Sequence, residues 1–317
     1  MSRRYLFGDP VTYQAGEYEH LFAISSAGEL ATTHEFTGLQ VDASGWTVFE
    51  PSANTRIMYV SSDGNDGTGQ IYGAADFADP FEPSGEAAFA TYSGAAANAR
   101  NGYDDWVLFR RGDTFATQLG AWSGADSTHY ALLGAYGASG DMPIINPPSA
   151  SSDVFTHTNA ALSYFAMVGL DFYAYLRDPD NPSYTGIAGG RGFWFYTNSA
   201  AITRVLFEGC RFRFFHSNEV QPNGGTITYF AMRRNVVRDN YSNGAGHSQG
   251  MWMEWVENSW FEENIFDHNG WYSQANSGGI GEATQFNHNT YMSKIKTATF
   301  KHNIFMRGSS SLQKFTA

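Results

Sequence analysis

The stretch WFEENIFDHNGW, residues 260–271, decides the architecture, because the pattern at its centre recurs. Phe261 is followed three residues on by Asn264 and two further by Phe266. The same frame fits Met167, Leu170 and Phe172; Phe207, Cys210 and Phe212; Met232, Asn235 and Val237; Phe286, Asn289 and Tyr291; and Phe300, Asn303 and Phe305. Six copies within 139 residues mark an internal repeat.

A strand alternates its faces, so the outer positions of the frame can both point inward if the middle residue sits at a bend. Strand, corner, strand is the unit of a parallel β-helix. With coils stacked about 4.8 Å apart, equivalent positions form columns. Two before the corner the column reads Glu208, Arg233, Glu262, Asn287, Lys301; one before it, Arg234, Glu263, His288, His302; three after it, Arg213, Arg238, Asp267. Opposite charges alternate, and cross-strand pairs of unlike charge contribute about 0.2–1 kcal/mol each. The Asn column (235, 264, 289, 303) is expected to bond amide to amide, and His288 and His302 to face solvent. The frame starts lie 40, 25, 29, 25 and 14 residues apart. Fourteen residues cannot close a three-sided coil, so either Phe286 or Phe300 belongs to another corner. The longest interval calls for a lateral loop, which residues 178–192 (DPDNPSYTGIAGGRG) supply.

Composition agrees with an all-β chain. Charged residues make up 16%, aromatics another 16%, and there are 34 glycines, a bias toward short strands and turns. The net charge of −12 disfavours a nucleic-acid partner, which needs clustered Lys and Arg. The single cysteine, Cys210, excludes a disulfide framework and reads as a small buried residue. No apolar run reaches membrane-spanning length, and MSRRYLFGDPVTYQ lacks the apolar core of a signal peptide.

Residues 1–50 carry no frame but contain the alternating runs HLFAIS and WTVFE, which predict a small separable β module. Residues 51–317 are expected to form the solenoid, with 51–145 as its opening and cap and 146–317 as stacked coils. Asp63, Asn65 and Asp66 resemble the start of a calcium loop, but position 12 from Asp63 is Ala74, where a bidentate Glu is required, so a plain turn is favoured. Residues 84–100 (SGEAAFATYSGAAANAR) predict one helix, capped by Ser84, over the open first coil. DDWVLFRRGDTF (104–115) and YALLGAYG (130–137) read as buried strands. The closing GSSSLQKFTA has no cap, so the stack is expected to be truncated or continued by a partner.

IMYVSSDGNDGTG, DDWVLFRRGDTF, GADSTHYALLGAYG, LFEGCRF, GHSQGMW, FDHNGW and FNHNTYM together resemble bacterial and phage proteins of the right-handed parallel β-helix class, the pectate-lyase-like superfamily. The resemblance runs from about residue 55 to the end. It implies the fold and a polysaccharide partner; the class holds lyases, hydrolases, epimerases and tailspikes. The chain has neither an Asp-Pro-His-Asp epimerase motif nor the paired aspartates of polygalacturonases, so no catalytic residue is carried over.

The densest polar and aromatic region is 243–282, where four of eight tryptophans fall between 252 and 271. Rings stack on sugar C–H faces while amides and carboxylates bond hydroxyls. Trp252, Trp255, Trp271, Tyr272, Asn269, Glu254 and Glu282 are therefore candidates to bind a saccharide, unless the indoles fill the coil. The columns place Asp239 beneath His268, an acid/base pair or a structural hydrogen bond, with Asp267 above Arg238 and His247 as a further catalytic candidate. Hydrolysis needs two carboxylates, for which Glu254, Glu257, Asp267 and Glu282 are candidates; elimination needs a base such as His247 or His268, since lysine is scarce before Lys294. The leading expectation is a tailspike-like or tail-fibre-like homotrimer on a virion, docked through residues 1–50, that binds and can cleave bacterial surface polysaccharide. The alternative is a secreted polysaccharide lyase or glycoside hydrolase, and the third reading a structural β-helix. No metal or cofactor is called for.

Overall fold

The computed structural model describes residues 30–186, 189–243, 246–272 and 281–316. Three sheets, of nine, seven and six strands, wrap one core, and the chain visits them in a fixed order. One complete turn runs from Thr226–Arg233 in the first sheet to Val236–Arg238 in the second and Gln249–Glu254 in the third, then returns to the first at Asn258–Glu262. Pairing between successive turns is parallel throughout. The exception is the short outermost strand Ile71–Gly73, which pairs antiparallel with Arg56–Val60.

The repeat frame sets this register. Met167, Phe207, Met232, Phe261 and Phe300 stand opposite one another in the first sheet. Phe172, Phe212, Val237, Phe266 and Phe305 do so in the second. Both columns point inward; Phe266 is fully buried and stacks on Phe305 at 5.1 Å and 3°. Between the two sheets the chain turns through one residue in the left-handed region, Gly169, Gly209, Arg234, Glu263 or His302. Asparagine follows in the last three of these turns. Asn235 Nδ2 donates to Asn264 Oδ1, and Asn264 Nδ2 to Asn303 Oδ1, each at 2.9 Å. Asn264 Oδ1 and Asn303 Oδ1 also accept the backbone N–H of the preceding asparagine, Asn235 and Asn264, and Nδ2 of Asn235 and Asn264 reaches a carbonyl of the strand below. The amide thus satisfies backbone groups that the bend strips of strand partners.

The frame at Phe286 belongs elsewhere, which resolves the fourteen-residue interval. Asn287 bonds Ser248 N and Gly270 O, and His288 begins the third-sheet strand His288–Ser293. His288 is therefore buried, with Nδ1 2.8 Å from Ser311 Oγ, rather than facing solvent beside His302. Asn289 ends a second ladder, Asn240–Asn269–Asn289, at the corner between the second and third sheets. Among the charge columns, Arg233 lies between Glu208 (2.7 Å) and Glu262 (2.8 Å), and Arg234 reaches Glu263 (2.6 Å).

The opening of the stack departs from expectation. Only Tyr92–Ala96 is helical, with Thr91 as its cap. Residues 87–89 instead run extended beside the first sheet, where Phe89 exchanges hydrogen bonds with Tyr59 and Ser61. An unpaired sheet edge offered these backbone groups better partners than a helix could. The helix still buries Ala95 in the core, while the antiparallel strand Ile71–Gly73 blunts the edge. Asp63, Asn65 and Asp66 serve different partners: Asp63 pairs with Arg110, Asn65 accepts from Gly67 N, and Asp66 accepts from Ala90 N and Thr91. Among the described residues no cluster could hold a metal.

HLFAIS lies outside the described residues. WTVFE does not. Residues 34–47 run along the outer face of the first sheet, where Thr37 O accepts from Tyr130, Glu208 from Thr47 N, and Gly45 O from Arg233 and Arg234. Leu39 and Phe49 share a buried cluster with Trp106, Leu108 and Trp260. His34 meets Glu262 at 3.0 Å.

Three outcomes are expected. Phe266→Ala lowers unfolding free energy by about 3–5 kcal/mol in urea titration. Asn264→Ala costs about 1–3 kcal/mol for each backbone group it orphans. Burial opposes ionisation of Glu262, but His34, Arg233 and Trp260 together outweigh it and hold its carboxyl well below the usual range. A depressed carboxyl contributes stability that is complete above its unfolded value, near 4.5, and is lost as pH falls below that. An acid titration of the melting temperature should therefore steepen below that value and flatten in Glu262→Gln.

Candidate functional site

The second corner uses the same bend as the first. Phe214, Asp239, His268 and Arg307 all adopt positive φ, 66°, 56°, 56° and 45°, at equivalent places in successive coils. Stacking brings Asp239 and His268 together, with Nδ1 2.6 Å from Oδ1. A carboxylate can only accept, so the imidazole carries its proton on Nδ1 when neutral and leaves Nε2 as the free acceptor. Asp239 Oδ2 is held by Arg238 at 3.2 Å. Both members are largely covered: the His268 side chain keeps 12% of its exposure and Asp239 8%.

Aromatic rings frame the pair. Trp271 meets His268 edge-on at 4.4 Å and is pinned by donating its indole N–H to Arg307 O at 2.8 Å. It remains partly exposed. Tyr272 is buried between Phe214 and Tyr241. Burial pushes its hydroxyl pKa up, and the carboxylates of Asp239, Asp180 and Asp178 push it further. Asp178 and Asp180 come from the lateral loop. That loop leaves through the turn Tyr175–Arg177, where the buried Arg177 guanidinium lies 4.3 Å over the Tyr241 ring and donates to Phe214 O at 2.8 Å. Gly189 lies so close to Arg177 that an added Cβ would sit 2.2 Å from its Cδ. Tyr173 donates to Asp178 at 2.5 Å, and burial first, then this carboxylate, pushes its pKa up to about 12. Arg213 stacks on Tyr173 at 3.6 Å while clasping Asp171.

Not every candidate joins this corner. Asp267 stands opposite Arg238 in register, but its fully buried carboxylate is gripped by Arg307 at 2.8 and 2.7 Å and belongs to the scaffold. Asn269 is likewise consumed by its ladder. Trp252 lies half-buried on the third sheet, parallel to Tyr291 at 6.5 Å, and Trp260 is buried under residues 34–36. Trp255 and Glu254 sit at the third corner, where Lys294 contacts both. His247 is exposed and stacks on Phe286 at 5.1 Å; Glu282 is exposed. Residues 273–280 lie outside the described residues. Asp178, Asp180 and Tyr173 were not candidates from sequence, because a Pro- and Gly-rich loop shows only that it leaves the coil. The acidic DPD at its start was the one available signal.

The arrangement is a polar corner on a parallel β-solenoid, with a hydrogen-bonded imidazole and carboxylate beside aromatic rings. No family model matches the sequence, and no curated protein matches it. Among solved structures, two crystal structures of GH136 lacto-N-biosidase from Eubacterium ramulus, a selenomethionine derivative and the native protein, are each 11% identical to this chain. Their TM-scores are 0.30 and 0.29, over 82% of this chain. The chain spans 66% of their length, and neither lends it a residue role or an activity. No helix among the described residues is long and apolar enough to cross a membrane.

If Asp239 fixes the ring, nitrogen NMR of His268 should show one tautomer in the wild type and a mixture in Asp239→Ala. A single tautomer surviving that substitution would show that other groups orient the imidazole.

Proposed function

We propose that the chain is an extracellular glycan-cleaving β-helix protein acting as a glycoside hydrolase at the second corner. The observation that carries this is the His268 imidazole held by Asp239 at 2.6 Å, beside a fixed, partly exposed Trp271 and within 5.2 Å of the Tyr272 ring. Hydrolysis of a glycosidic bond needs one group to protonate the leaving oxygen and another to activate water or attack carbon. In this reading His268, through Nε2, and a loop carboxylate share those roles, while Asp239 positions the ring. Trp271 offers its face to a pyranose.

Hydrolysis is favoured over elimination by the charge of the face. Elimination from a uronate requires cations to neutralise its carboxylate. Here Arg213, Arg238 and Arg307 are each held by an aspartate, and the loop adds further negative charge. The reading is placed ahead of virion attachment because residues 34–47 of the presumed docking module are bonded along the first sheet.

Incubation with neutral and acidic polysaccharides, following reducing ends and the ultraviolet absorbance of unsaturated sugars together, tests it. New reducing ends without unsaturation are expected. His268→Ala should lower kcat by about 10²–10⁴-fold, the scale of general acid–base catalysis, and Trp271→Ala should mainly raise KM. Unsaturated products would replace hydrolysis by elimination; full activity in His268→Ala would remove this corner from the chemistry.

A further inference from the structure

The third corner, where the chain passes from the third sheet back to the first, carries a groove that the proposed reaction does not use. It holds about 430 Å³, within the range of small-molecule sites, about 300–1,000 Å³. Its floor is the turn Asn223–Gly224–Gly225 and its walls are Trp255, Glu257, Lys294 and Lys296. The two glycines are demanded by the coil below. An added Cβ at Gly224 would lie 2.7 Å from Asn198 O, and one at Gly225 2.5 Å from Ala200 O. Packing between coils therefore keeps the floor bare of side chains, and Trp255 stands beside it half-exposed, at 52%.

The charges are unusual for this chain. It bears a formal net charge of −12, and its four lysines, Lys294, Lys296, Lys301 and Lys314, all fall after residue 293. Two of them line this groove. Lys294 sits 4.1 Å over the Trp255 ring and 3.4 Å from Glu254. Lys296 is exposed and forms no ion pair among the described residues. An indole face, an unengaged ammonium, a carboxylate (Glu257) and a side-chain amide (Asn223) around a bare floor are the groups that a charged pyranose satisfies. The ring covers a sugar face, the ammonium meets a carboxylate, and Glu257 and Asn223 take hydroxyls.

We propose that this groove is a second glycan-binding site, distinct from the second corner, that holds an acidic pyranose unit through Trp255 and Lys296. It rests on the reading of the chain as glycan-active for the class of ligand, and adds that the bound polymer carries carboxylates. A corner that bears the Asp239–His268 pair and a lysine groove at another would suit a chain of mixed neutral and acidic sugars.

Affinity electrophoresis of the full chain through gels containing polygalacturonate, alginate or neutral dextran tests this. Wild type, Trp255→Ala, Lys296→Glu and His268→Ala are compared, with thermal melts confirming that each is folded. Retardation by at least one of the acidic polymers, weakened by salt and absent with dextran, is expected for wild type and His268→Ala. Trp255→Ala and Lys296→Glu should each weaken it at least tenfold. Equal retardation by dextran, or retardation unchanged in both groove variants, overturns the groove site. In the latter case, loss in His268→Ala alone would leave the second corner as the glycan site and the proposed function intact. A change in oligomeric state in Trp255→Ala, with glycan retention unchanged, would assign the groove to contact between copies of the chain and likewise overturn it.

Discussion

Everything in this molecule depends on how a strand can turn a corner without abandoning its backbone hydrogen bonds. The bend requires a residue at positive φ, and the peptide groups beside it lose their strand partners. Two solutions appear in one chain. In the earlier coils Gly169 and Gly209 take the left-handed conformation and an apolar Leu170 or Cys210 follows. In the later coils Arg234, Glu263 and His302 take it, at a steric cost of about 1–2 kcal/mol each, and asparagine follows. The amide ladder 235–264–303 offsets that cost by bonding every exposed peptide group within reach. Cys210 marks the junction, for its N–H takes the last Oδ1 of the ladder, from Asn235.

The candidate site is a consequence of the same device. At the second corner the dipeptides Asp239–Asn240 and His268–Asn269 repeat the arrangement: a left-handed residue, then a ladder asparagine. Because the ladder fixes the stacking, the left-handed residues fall in one column. A carboxylate and an imidazole in consecutive turns must then meet. The bend that costs backbone energy thus sets two polar groups 2.6 Å apart without a loop to carry either one.

How much of this could be read from sequence follows from range. Parallel pairing repeats a residue type at one place in each coil, so Phe261, Asn264 and Phe266 announced two inward columns and one corner ladder. The same logic put Asp239 under His268. It misled at Phe286, because Asn289 also follows a histidine but serves the second ladder from inside a third-sheet strand; an Asn amide looks alike in either role. The second ladder went unread: Phe266, Asn269 and Trp271 fit the frame, but Asn240, between Val237 and Ser242, does not repeat it. Asp178 and Asp180 were invisible as site residues because a lateral loop folds back by contacts of its own, chiefly those of Arg177, which no periodicity encodes. The helix predicted at 84–100 shrank to Tyr92–Ala96 for a related reason: the free edge beside Val60 captured Phe89.

The segment packed along the first sheet alters how such a stack can come apart. In a solenoid each coil touches only its neighbours, so the terminal coil can fray while the rest stays intact. Residues 34–47 bond Tyr130 near the beginning, Glu208 and Arg233 in the middle, and Glu262 further on, while Glu35 reaches Lys301 at 2.5 Å. One short piece of chain is tied to several turns, of which only successive ones pair with each other. Opening any of them loosens the strap for the others, which turns a row of nearest-neighbour units into a single cooperative body along that side, while the corner with Asp239 and His268, off the strap, keeps the independence of its own coils.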